Sequence, residues 1–119
     1  LEVVDEAVEL ARMNAVLNGV DNVSFLVGRA EVELRSLAAS GWHPTLVIAD
    51  PARTGMHPAV VRYLGEMKPE RIVYVSCHPA TQARDIKQLL KWYEVVEVQP
   101  VDMFPHTPHV ESVALLVRR

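Results

Sequence analysis

The stretch that decides the fold is Thr45-Leu46-Val47-Ile48-Ala49-Asp50-Pro51-Ala52-Arg53-Thr54-Gly55. An uncharged, mostly apolar run with no turn former passes straight into Asp-Pro and ends on Gly. It reads as a strand buried on both faces that stops in a loop. The same grammar recurs downstream, where Arg71-Ile72-Val73-Tyr74-Val75 passes into Ser76-Cys77-His78-Pro79-Ala80-Thr81. Between the two, Pro58 suits the first turn of a helix running to about Met67. A second helix is expected over Ala80–Trp92.

Upstream, Leu1–Val4 reads as the end of a strand, and Asp5 as the N-cap of a helix that stops at Asn18-Gly19. Val8, Ala11 and Ala15 recur within it at helical spacing. Val23–Val27 follows as a short strand and Glu31–Ala39 as a helix closed by Ser40-Gly41. Downstream, Tyr93–Val98 and His109–Val117 read as two strands with no helix between them. Strand–helix alternation implies a parallel sheet with helices on both faces. A connection of roughly ten residues is too short for a parallel crossover, so one of the last two strands runs antiparallel. That combination, an α/β mostly parallel sheet ending in an antiparallel hairpin, resembles the Rossmann-like variant seen in class I methyltransferases.

Composition narrows the classes further. Of 119 residues, 50% are hydrophobic and 23% charged, with a net charge of −3, which excludes a disordered tail. No run of about 18 uncharged apolar residues exists to cross a membrane as a helix. The single cysteine excludes a disulfide framework and a multi-cysteine metal site within this chain. His57, His78, His106 and His109 lack a recognised ligand spacing, so no metal is expected. The first residues carry no signal-peptide pattern, and a reducing, cytoplasmic setting is the default expectation. A mildly acidic chain gives no electrostatic footprint of nucleic acid, so an RNA partner has to be argued from chemistry.

Ligands of such sheets sit outside the carboxyl ends of the parallel strands. Three segments fall there: Asp50–Gly55, Ser76–Thr81, and Asp102–Glu111, which leads into the last strand. If that strand is antiparallel and lies beside the Cys77 strand, Glu111 faces the same cleft as Cys77 and Asp50. Each residue alone has a plainer reading. Cys77 is also a small hydrophobe at a strand end, Glu111 a solvent-facing edge residue, Asp50 a turn residue, and His106 and His109 loop surface. Arg53 serves equally as an ion-pairing loop residue or a phosphate contact. Cys77, however, precedes a helix whose terminal amides favour thiolate. Glu111, among Val110, Val113, Leu115 and Val117, is a carboxylate on a largely apolar strand.

Together these segments resemble the RNA 5-methyluridine methyltransferases, which methylate carbon 5 of uracil in tRNA and rRNA. The resemblance runs from Glu2 to Val117. It rests on Asp50-Pro51 with Arg53 and Gly55, on Ile72–Cys77 with Pro79-Ala80-Thr81, and on Met103–Thr107 with His109-Val110-Glu111. The family usually has Asn where this chain has His78, and Asp or Asn where it has Arg29. The resemblance implies S-adenosyl-L-methionine as cofactor, with Glu2, Arg29 and Asp50 on its side of the site. It implies an RNA substrate met by Arg53, His78, Phe104, His106 and Thr107. Cys77 would add to carbon 6 of uracil and make carbon 5 nucleophilic, and Glu111 would later remove the carbon-5 proton. The target base would have to be flipped or unpaired.

The family's glycine-rich first strand and turn lie immediately upstream of a residue like Glu2. The chain is therefore expected to be the C-terminal portion of a methyltransferase domain, with an open strand slot that invites self-association. Two other readings stand beside it. One is a non-catalytic domain that binds RNA or another partner; the other is a cysteine hydrolase pairing Cys77 with His106 or His109.

Overall fold

The computed structural model describes residues 1–119. Its sheet has four strands, β1 (Leu46–Ala49), β2 (Arg71–Ser76), β3 (Tyr93–Val101) and β4 (Glu111–Arg118), in the order β1-β2-β4-β3. β1 and β2 are parallel, while β4 runs antiparallel to both β2 and β3. The last strand thus inserts beside β2 and brings its beginning to the carboxyl end of its neighbour. Four helices accompany the sheet: α1 (Asp5–Leu17), α2 (Ala30–Ala39), α3 (Pro58–Met67) and α4 (Pro79–Leu89). None is long and apolar enough to cross a membrane.

One face of the sheet carries the core. Ile72 and Tyr74 of β2 and Ala114 and Leu116 of β4 are fully buried against Val61, Leu64 and Met67 of α3 and Leu89 of α4. Ala30, Leu34 and Ala38 of α2 close the flank. Local chemistry explains the helix starts. Pro58 and Pro79 occupy first-turn positions where their missing N–H costs nothing, and His57 and His78 act as N-caps. Lys68 ends α3 in the left-handed region, at φ 50°.

Several expectations need correction. β1 is an edge strand covered on one face only: Val47 and Ala49 are half-buried against the core, while Leu46 is 49% and Ile48 69% exposed. β2 is likewise one-sided, with Ile72, Tyr74 and Ser76 buried and Val73 and Val75 half-buried. Leu1–Val4 and Val23–Val27 shrink to one parallel bridge between Glu2 and Val27, since neither segment meets a longer ladder. Asp5 lies within the first turn of α1; the N-cap position is Val4, with no side-chain cap. α1 buries only Val8 and adds nothing to the core cluster, so helices cover one face rather than both.

Candidate active site

The carboxyl ends of β1 and β2 and the beginning of β4 lie at one edge of the sheet. The β2–β4 register runs from Arg71↔Val117 to Ser76↔Ser112. The ladder ends there, so the next residue on each strand, Cys77 after β2 and Glu111 at the start of β4, adjoins its last pair. On its other side Glu111 pairs with Val101 of β3. Both Cys77 and Glu111 are half-buried. By the alternation of the strands they share the less covered face with Val75 and Val113, away from the packed helices.

Behind Cys77 the backbone is tightly tied. The His78 N–H donates to Ser76 Oγ (3.0 Å), and His78 Nδ1 accepts from the Thr81 N–H (3.4 Å). The imidazole therefore does the capping work usually given to an oxygen side chain, holding the first turn of α4 beside the cysteine.

The loop after β1 is held by side chains that sequence reasoning passed over. Asp85 of α4 is fully buried, and its Oδ2 accepts from the Met56 N–H (2.7 Å) and the Tyr74 hydroxyl (2.8 Å). Its Oδ1 accepts from Arg84 Nε (2.9 Å) and Nη2 (2.8 Å), and the same Nη2 also donates to Thr54 O (2.9 Å). Thr81 Oγ1 lies 3.0 Å from Arg53 O. Gly55, at φ 80°, passes so close that a Cβ there would come within 2.5 Å of Asp85 Oδ2. Burial, with the adjacent Asp85 carboxylate, pushes the Tyr74 phenol well above its ordinary value. Gln82, also buried, uses one amide nitrogen to donate to Tyr74 O (2.8 Å) and Ser112 O (3.1 Å). The only sequence signal for these residues was the helical spacing of Gln82, Asp85 and Leu89 on one face.

Arg53 is exposed and its Nη1 donates to His109 Nδ1 (3.3 Å), joining the first loop to the segment that leads into Glu111. The His109 ring meets Phe104 edge-on, with centroids 6.3 Å apart. Thr107 Oγ1 donates to Phe104 O (2.7 Å), and His106 takes a left-handed φ of 66°, so Phe104–Thr107 is an exposed turn at the rim.

A cavity of about 1190 Å³ extends along the open edge of β1 and reaches Asp50. Leu1, Val3, Leu26, Val47 and Ala49 are among its apolar lining, and Arg29 and Glu31 among its charged lining. Glu31 is held below the usual carboxylate range by its own backbone N–H, with help from Arg29 at 2.6 Å. Glu2 itself does not line this cavity, although its neighbours Leu1 and Val3 do. Its Oε1 accepts from the N–H groups of Val4 (2.9 Å) and Val3 (2.7 Å), which lower its pKa. The geometry thus separates two groups. Cys77, Glu111, His78 and Arg53 gather at the sheet edge, while Arg29 and Asp50 line the cavity.

The four-stranded mixed sheet, with β4 inserted antiparallel beside β2 and a cavity along the open edge of β1 that reaches Asp50, is an α/β arrangement that can be set beside known proteins. The sequence model described as tRNA (Uracil-5-)-methyltransferase matches residues 1–119, and the chain belongs to that family. It is 53% identical over 119 residues to an uncharacterised RNA methyltransferase of Caldanaerobacter subterraneus, covering 99% of this chain and 26% of the relative. It is 45% identical to one of Bacillus cereus, covering 100% and 26%. In structure it is similar to the Pyrococcus abyssi tRNA (uracil-54, C5)-methyltransferase, crystallised in complex with S-adenosyl-L-homocysteine. There the TM-score is 0.80 at 43% identity, over 97% of this chain and 27% of the other. The chain thus spans about a quarter of the length of the relatives it matches.

Proposed function

We propose that this chain supplies the uracil-side chemistry and one wall of the cofactor site in an S-adenosylmethionine-dependent methylation of carbon 5 of uridine in tRNA or rRNA. The observation that carries the reading is the β2–β4 ladder, whose last pair, Ser76↔Ser112, lies one residue short of the half-buried Cys77 on one strand and the half-buried Glu111 on the other. Membership of the family and the S-adenosyl-L-homocysteine complex of the Pyrococcus abyssi relative support it.

The cavity suits the cofactor: apolar walls from Leu26, Val47 and Ala49 accept a purine, and Asp50 offers a carboxylate to an ammonium group. Asp50, Arg29 and, between the lining residues Leu1 and Val3, Glu2 would hold it, and when bound it supplies the methyl group. Cys77 acts on the base. Its thiolate forms a bond to carbon 6, and the displaced electron pair moves onto the ring as an enolate, which makes carbon 5 nucleophilic. Once carbon 5 carries the methyl group, Glu111 takes its remaining proton. The electron pair of that C–H bond restores the ring double bond, and the carbon 6–sulfur bond breaks. Arg53, His78, Phe104, His106 and Thr107 stand at the rim where a flipped uridine and its phosphates would enter.

The test is exchange of the carbon-5 proton of uridine with solvent, together with methyl transfer, in the encoded protein. Cys77→Ala should abolish both, and methylation surviving in that variant would overturn the reading.

A further inference from the structure

We propose that Gln82 is the positioning residue that keeps Cys77 and Glu111 opposed across the end of the β2–β4 ladder. The inference rests on the roles given above to Cys77 and Glu111. Gln82 sits in the first turns of α4 and is 3% exposed. Its single amide nitrogen reaches two strands at once, Tyr74 O in β2 at 2.8 Å and Ser112 O in β4 at 3.1 Å. Tyr74 lies three residues before Cys77, and Ser112 is the neighbour of Glu111. The Gln82 backbone N–H donates to the carbonyl of the N-cap His78, which directly follows Cys77. One residue therefore ties together the strand that ends at the thiol, the strand that starts at the carboxylate, and the helix turn behind the thiol.

A simpler side chain would fill the same space. Gln82 is buried on α4 together with Asp85 and Leu89, and a leucine would be buried there without the cost of desolvating an amide. What a leucine cannot do is fix the distance between the two carbonyls. Beyond Ser76↔Ser112 the ladder has no further strand pair. The spacing of Cys77 and Glu111 is then set by whatever clamps the last rungs, and Gln82 is the clamp that touches both.

The test compares Gln82→Leu and Gln82→Glu with wild type in the encoded protein, using uridine-containing RNA and S-adenosylmethionine. Gln82→Leu should leave KM for both substrates within about twofold. It should lower kcat by about 10–100-fold, the scale expected when reacting groups shift by about an ångström. Gln82→Glu can donate to one of the two carbonyls, and only when its carboxyl is protonated. Its kcat should therefore carry an added limb that falls as pH rises, which wild type lacks. If wild type forms a Cys77–RNA adduct and both variants keep wild-type kcat and pH profile, the inference is overturned while the roles of Cys77 and Glu111 stand. If wild type forms no such adduct, the roles themselves fail and the inference falls with them. Should Gln82→Leu not fold, the pH profile of Gln82→Glu decides.

Discussion

Replacing Tyr74 by Phe removes one atom from the buried hub under the Asp50–His57 loop, and the structure allows its cost to be worked out. The hydroxyl donates to Asp85 Oδ2 over 2.8 Å, and both residues are wholly buried. A hydrogen bond to a charged group is worth about 1.5–3 kcal/mol, and no water replaces it at such a site. Three donors remain on the carboxylate, from Met56 and from Arg84 Nε and Nη2, so the charge stays compensated and the fold survives. Asp85→Ala should cost more, about 3–5 kcal/mol, because it strands the Met56 N–H and the Tyr74 hydroxyl and unpairs Arg84. The assay is urea unfolding of the chain followed by tryptophan fluorescence, comparing midpoints at constant slope. Amide exchange locates the effect: the Met56 N–H should exchange faster in both variants. In an Asp85→Asn background the Tyr74→Phe cost should shrink by about 1 kcal/mol or more, since the two residues are in contact. A Tyr74→Phe loss below about 0.5 kcal/mol, or strict additivity with Asp85→Asn, would refute the idea that this hub holds the loop.

Other outcomes follow from single residues. Gly55→Ala should destabilise the chain and speed Met56 exchange, because its φ of 80° disfavours a side chain and the new Cβ would meet Asp85 Oδ2 at 2.5 Å. His78→Asn should keep stability and methyl transfer, since Asn is a strong N-cap, whereas His78→Ala should lose about 1 kcal/mol by urea unfolding. Alkaline stability is set by the buried phenols. Burial pushes Tyr93 up to about 12 and raises Tyr74 as well. Raised acids favour the folded state below their unfolded value of 10.0, and that contribution is lost as pH climbs through the folded value. Stability should therefore fall between pH 10 and about 12, with phenolate absorbance from these tyrosines appearing together with unfolding. Absorbance appearing in two early steps on a still-folded chain would contradict this.

Much of the fold was legible because it is written in local pattern. Pro58 and Pro79 mark helix starts, and the connection of roughly ten residues between the last two strands announced the antiparallel return of β4. Topology then carried Glu111 to the end of the Cys77 strand without any distance being known. Burial was less legible. The run from Leu46 to Ala49 is apolar enough for an interior strand, yet hydropathy cannot say whether a neighbour covers it, and in the structure Ile48 lies open. Val23–Val27 looked like a strand for the same reason, though a strand exists only where a ladder receives it. Gln82 and Asp85 were invisible for a third reason. A buried polar side chain is stable only through donors and acceptors contributed by distant segments, here Met56, Tyr74 and Ser112, and no local spacing announces those.

The central claim is that Cys77 and Glu111 act in sequence on one uracil ring, the first forming the carbon 6 bond and the second releasing it. Denaturing mass analysis of the encoded protein incubated with uridine-containing RNA and S-adenosylmethionine tests it most directly. In Glu111→Gln, addition and methylation survive while proton removal fails, so a methylated RNA adduct joined through Cys77 should accumulate well above the wild-type level. It should vanish when Cys77→Ala is added. Adduct at the same level in wild type and Glu111→Gln, or an adduct mapped to any residue other than Cys77, would contradict the account.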